Sequence, residues 1–128
     1  MSRFGSPRPS RQLLVARQVI DHTLRSLPPG LREAAQPCAI EVCEMADVSE
    51  DEGLDDDLLG LFEGCSRLDG EPQSPHDLPR IRLFLDNLWD FAERDPQIFR
   101  DEVRTTLLHE LGHYLGLDED QVEELGLA

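Results

Sequence analysis

HELGHYLGLDED, residues 109–120, places His109 and His113 four apart, Glu110 directly after the first, and Gly116 ahead of the acids Asp118, Glu119 and Asp120. On a helix turning about 100° per residue, His113 falls about 40° from His109, with Glu102 and Thr106 on the same polar strip. Glu110 stands off to one side, near about 100°. Leu107, Leu108, Leu111 and Leu115 fall between about 160° and 260°, on the opposite side. Such a helix lays its leucines on a core and holds both imidazoles away from it. Asp95-Pro96 supplies an N-cap followed by proline at the first helical position, and Gly116 supplies a stop. The spacing therefore predicts a helix from Pro96 to Leu115, and a last short helix from about Glu119 to Leu125 capped by Asp118.

Histidines at i and i+4 project from successive turns, so their ring nitrogens can reach one zinc ion at about 2.0 to 2.1 Å. Glu110 need not ligate. From beside the pair its carboxylate can take a proton from a water acidified by the ion and return it to a leaving amine. Catalytic zinc uses three protein ligands and keeps a fourth position open. A motif of the form HExxHxxGxxH sets its third ligand ten residues past the first histidine. Glu119 holds that offset here and is the first choice for third ligand. Asp118 is the alternative, with helix capping as its competing role, and Glu123 on the final helix is a weaker candidate.

The rest of the chain reads as a small α+β domain. Residues 1–9 read as a disordered tail, and 10–128 as a single domain. Ser10 caps a helix carrying Leu13, Val19 or Ile20, Leu24 and Leu27 on one stripe, stopped by Pro28, Pro29 and Gly30. A helical turn from Leu31 to Ala35 follows. CAIEVCEM, 38–45, alternates as a strand. LLGLFEG, 58–64, suits an edge strand, and RIRLFL, 80–85, is a third strand with Ile81, Leu83 and Leu85 on one side. ADVSEDEGLDDD, 46–57, lacks the ligand spacing of an EF-hand and reads as a solvated loop. His76 reads as a surface residue. Trp89 and Phe91 sit on a short helical or irregular stretch.

Lys plus Arg number 12 against 27 Asp plus Glu, a formal charge of −15. That balance repels phosphate backbones and anionic lipid, so nucleic acid and membrane surfaces are excluded as partners. No run approaches the roughly 20 apolar residues of a membrane span, and Arg17, Gln18 and Asp21 interrupt the first apolar run where a leader would need continuity. A cytoplasmic location is expected. Cys38, Cys43 and Cys65 are odd in number and without CxxC spacing, which points to free thiols.

The order SLPPGLREA, CAIEVCE, LLGLFEG, LPRIRLFLDNL, EVRTTLLHELGHYLGLDEDQVEELG resembles the small bacterial zincin-like metallopeptidases with a minimal zincin fold, from about Leu13 to Leu127. The resemblance implies an N-terminal helix, a small mixed sheet of about three strands, and the HExxH helix packed across it. It implies one zinc ion held by His109, His113 and the acid three residues after Gly116. That acid is Glu119 here, where family members often carry aspartate. Glu110 would be the general base, and a peptide or protein the substrate, lying beside LLGLFEG. Met1 and Met45 both precede the site, so the Met-turn of metzincins is absent. Tyr114 points toward the core, which leaves Arg80, Arg82 or His76 to stabilise an oxyanion if the fold brings one close. The alternative is a non-catalytic metal-binding or protein-interaction module that keeps the fold.

Overall fold

The computed structural model describes residues 10–124. The expected tail at 1–9 and the expected end of the last helix at Leu125 lie outside the described residues. Helix α1 (Arg11–Arg25) starts where Ser10 Oγ accepts from the Leu13 amide at 3.0 Å. It buries Ala16 and Thr23 and rests Leu13, Val19, Ile20 and Leu24 against the core. Helix α2 (Pro29–Ala35) begins on proline, whose missing N–H is one of the donors a helix start leaves unpaired anyway.

Three strands follow, β1 (Ala39–Cys43), β2 (Gly60–Glu63) and β3 (Arg80–Phe84), in the spatial order β1-β3-β2. The sheet is mixed, as expected: β1 runs parallel to β3 and β2 antiparallel to it. Both outer strands are edges, β2 included. The register puts Ile40 and Phe62 beside Ile81, and Val42 and Gly60 beside Leu83. These residues form the face on which the helices lie, with Ile81 and Leu83 at 0% and 1% exposure.

All three strands are shorter than the alternation predicts. Leu85 opens helix α3 (Leu85–Phe91) and is buried there, so the apolar beat continues while the backbone changes. Met45 leaves the ladder for a 3-10 turn, its amide donating to Asp86 Oδ1 at 2.8 Å. Leu58 and Leu59 precede β2.

Helix α4 (Pro96–Leu115) has the predicted bounds, with Asp95 Oδ1 accepting from the Gln97 and Ile98 amides. Its Phe99, Val103, Leu107 and Leu111 are almost fully buried, and Phe99 meets Trp89 edge to face with centroids 5.4 Å apart. Helix α5 (Glu119–Glu124) is short and buries Val122 alone.

The other face of the sheet carries Arg82 and Phe84. Arg82, 8% exposed, donates through Nε to Glu63 Oε1 and through an Nη to Glu52 Oε1, both at 2.8 Å. Phe84, 0% exposed, lies under this guanidinium, 5.7 Å from its carbon, and stands apart from the main core. The acidic loop is thus tied back across the sheet by Glu52. Asn87 ties its end by donating to the carbonyls of Asp56 and Leu58. Cys38, Cys43 and Cys65 are free thiols, Cys38 buried and the others half-buried. Among the described residues no helix is long and apolar enough to cross a membrane.

Candidate metal centre

Leu107, Leu108, Leu111 and Leu115 bury 94% or more of their surface, which fixes the rotation of α4 and leaves His109 and His113 exposed, as their spacing predicts. The two Nε2 atoms stand 3.2 Å apart, the rings nearly perpendicular at 87°. Two donors of a tetrahedral zinc site, each about 2.0 to 2.1 Å from the ion, are separated by about 3.3 Å. The pair is therefore spaced for one ion. Without it, a neutral pair is held by one N–H···N hydrogen bond whose direction depends on the tautomer.

Glu110 differs from its neighbours in burial. Its side chain is 12% exposed against 50% for His109, and its Oε2 lies 3.9 Å from His109 Nε2. The ligand atoms of His109, Glu110 and His113 all lie within 4.8 Å of one another. The cause is the row Thr106, Glu110, Tyr114, three residues each one turn apart on α4. A Cβ on Gly60 would lie 2.7 Å from Thr106 Cγ2, and the Phe62 and Tyr114 rings have centroids 5.9 Å apart. Strand β2 therefore runs along this row with Glu110 between its two contacts. Thr106, expected on the exposed polar strip, is 8% exposed for the same reason. Tyr114 is buried as expected, and burial raises its phenol pKa.

On the other side of the histidines the chain turns back sharply. Gly116 has φ +74°, its amide bonds the His113 carbonyl at 3.3 Å, and the Leu117 amide bonds the Gly112 carbonyl at 2.8 Å. These two bonds are the paired closure of a Schellman motif. Asp118 then caps α5: its Oδ1 accepts from the Gln121 amide at 2.8 Å, and its own amide donates to Gln121 Oε1 at 2.9 Å. The capping role expected as the rival to ligation is the one its carboxylate fills. Glu119 and Glu123 line a cavity of about 570 Å³ together with His109 and His113. Neither carboxylate belongs to the group within 4.8 Å.

The three candidate oxyanion partners lie elsewhere. Arg82 is bound to Glu52 and Glu63, Arg80 donates to Glu63 Oε1 at 3.1 Å, and His76 shares a separate pocket with Arg80. None lines the cavity at the histidines. Gly60, the contact point for β2, is one of the LLGLFEG glycines that suit an edge strand or a close approach, and it is closely packed as that reading expects, whereas Gly112, the contact point for α5, carries no expectation from the sequence. A glycine inside a predicted helix, as in HELGH, was the available signal, since it costs about 1 kcal/mol relative to alanine.

An HExxH helix laid by its leucines on a three-stranded mixed sheet, with the glutamate turned toward an edge strand, defines a zincin-type α+β domain. A family model described as zincin-like metallopeptidase matches residues 36–127, well over half of the chain, and the chain belongs to that family. No curated protein matches it.

Proposed function

We propose that the protein is a small zinc-dependent peptidase that hydrolyses peptide bonds, with Glu110 as general base and His109, His113 and Glu119 as the residues that hold the metal. The observation carrying this reading is the 3.2 Å separation of the two Nε2 atoms with the Glu110 carboxylate beside them. The donor set, two neutral imidazoles and a carboxylate, suits zinc chemically. When bound, the ion would polarise the scissile carbonyl and acidify the attacking water.

Glu110 takes a proton from that water and delivers it to the leaving nitrogen, one carboxylate serving both steps. Its side chain is 12% exposed, which favours a carboxylate already held beside the histidines. β2 is an edge strand along the same row, and an extended peptide that pairs with it would pass Glu110. Glu119 would complete the metal-holding set from the first residue of α5. A peptide or protein is therefore the substrate class, in keeping with a site open to solvent at His109 and His113.

The placement of Glu119 outside the 4.8 Å group favours a second reading, a metal-binding module without turnover. Metal analysis of protein purified without chelators, combined with cleavage of a peptide library by wild type and Glu110→Gln, separates the two. Stoichiometric zinc with cleavage lost in the variant supports the peptidase. Zinc without cleavage assigns the module, and no zinc uptake from excess metal sinks both.

A further inference from the structure

We infer that Gly112 is a positioning residue: it seats α5 against α4 and so sets how closely the carboxylates of α5 approach the histidine pair. The inference rests on the reading that α5 supplies the third metal-holding group. Gly112 lies inside α4 and is not among the glycines with positive φ, so its backbone freedom is not what the fold uses. What is used is the missing side chain. A Cβ there would lie 3.1 Å from Val122 Cγ2 and 3.8 Å from the Leu117 carbonyl oxygen. Val122 is the one buried residue of α5, so this contact is the seat of the helix. Glu119 lies three residues before Val122 and Glu123 directly after it, and both line the cavity with His109 and His113.

A side chain at 112 presses on Val122, which must give by a few tenths of an ångström for alanine and more for valine, and where α5 moves with Val122 it carries both carboxylates. Zinc–oxygen bonds of about 2.0 to 2.2 Å tolerate deviations of only about 0.2 Å, so a lift of that size weakens a ligand without unfolding the domain.

The test is Zn2+ affinity of the full chain by chelator competition, for wild type, Gly112→Ala, Gly112→Val, and Gly112→Val combined with Val122→Ala. Affinity is expected to fall a few-fold with alanine and at least about tenfold with valine, the range typical of residues that orient a ligand. The double variant, which restores the space, should regain most of the loss. Urea unfolding without metal should find Gly112→Ala still cooperatively folded, because the helix propensity of alanine offsets crowding against Val122. Equal affinities across the series overturn the inference, and so does a loss that Val122→Ala fails to recover. Glu119→Ala and Glu123→Ala separate this failure from that of the parent reading. If a carboxylate variant weakens zinc binding and the Gly112 variants do not, only the role of Gly112 falls. If wild type binds zinc and neither carboxylate matters, α5 supplies no ligand and the parent assignment falls with it.

Discussion

Glu110 Oε2 lies 3.9 Å from His109 Nε2, yet the glutamate side chain is only 12% exposed while the imidazole stays half exposed. The two neighbours therefore have separable roles. Glu110→Gln keeps the shape of the side chain but replaces one acceptor oxygen with an NH2 donor and removes the base. Peptide cleavage should fall by about 10²- to 10⁴-fold, the usual contribution of general acid–base catalysis, while zinc binding stays within a few-fold of wild type. Loss of zinc from this variant would move Glu110 into the ligand set.

His109→Ala and His113→Ala should each weaken zinc binding by more than about 100-fold, beyond the range seen for residues that only orient a ligand. Glu119→Ala should weaken it less, since water can take a vacated oxygen position. Equilibrium competition with a chelator orders the three. Equal retention by Glu119→Ala and wild type would transfer the third position to Glu123 or to water.

Gly60→Ala brings a methyl to 2.7 Å from Thr106 Cγ2, 3.2 Å from Leu83 Cδ2 and 3.3 Å from the Arg82 carbonyl oxygen. Overpacking of this kind costs about 1 to 3 kcal/mol. Because it displaces β2 beside Glu110, cleavage should drop more than zinc affinity. Thr106→Ser removes the closest methyl and should recover part of both, which a double-mutant cycle in urea and in turnover would read as coupling. Strictly additive effects would mean that β2 does not lean on Thr106.

Burial pushes the Cys38 thiol from 9.0 to about 11. Its folded pKa lies above its unfolded one, so the thiol's contribution to stability is fully present below about pH 9 and is lost as pH climbs toward 11. The chain has no lysine, so no ammonium titrates in that window. Tyr114, Cys43 and Cys65 are raised as well and add to the loss, so urea unfolding should find the protein less stable near pH 10.5 than near pH 8, with a smaller loss in Cys38→Ala. Alkylation of Cys38 should be slow until the domain unfolds. Rapid labelling of the native protein would contradict this.

Local stereochemical signals made α4 and half of its site legible in the sequence. Asp95-Pro96 and Gly116 bracket the helix, and the leucine stripe fixes which way His109 and His113 face. Strand ends were not legible, because Leu85 fits both the next position of β3 and the first of α3. Nor was the burial of Glu110 and Thr106. The wheel orders residues around α4 but does not say that β2, some 50 positions earlier in the chain, comes to lie along that row. The part played by Gly112 depends likewise on the return of α5. The histidine spacing is a property of one helix, whereas the walls on either side of it are properties of the whole fold.

The two faces of the small sheet are closed by different forces. Aliphatic side chains seal the side under α4, and their contribution changes little with acid or ionic strength. Arg82 closes the other side with Glu63 and Glu52, and the guanidinium holds the Glu52 carboxyl below its ordinary range. A lowered folded pKa means that the Glu52 arm of this clasp is intact above about pH 4.5 and fails as pH drops through the folded value. Salt screens the exposed half of the same clasp. The acidic loop can thus come away from the back of the sheet in acid or brine while the front keeps the HExxH helix in place, making the domain two layers with separate solvents for glue.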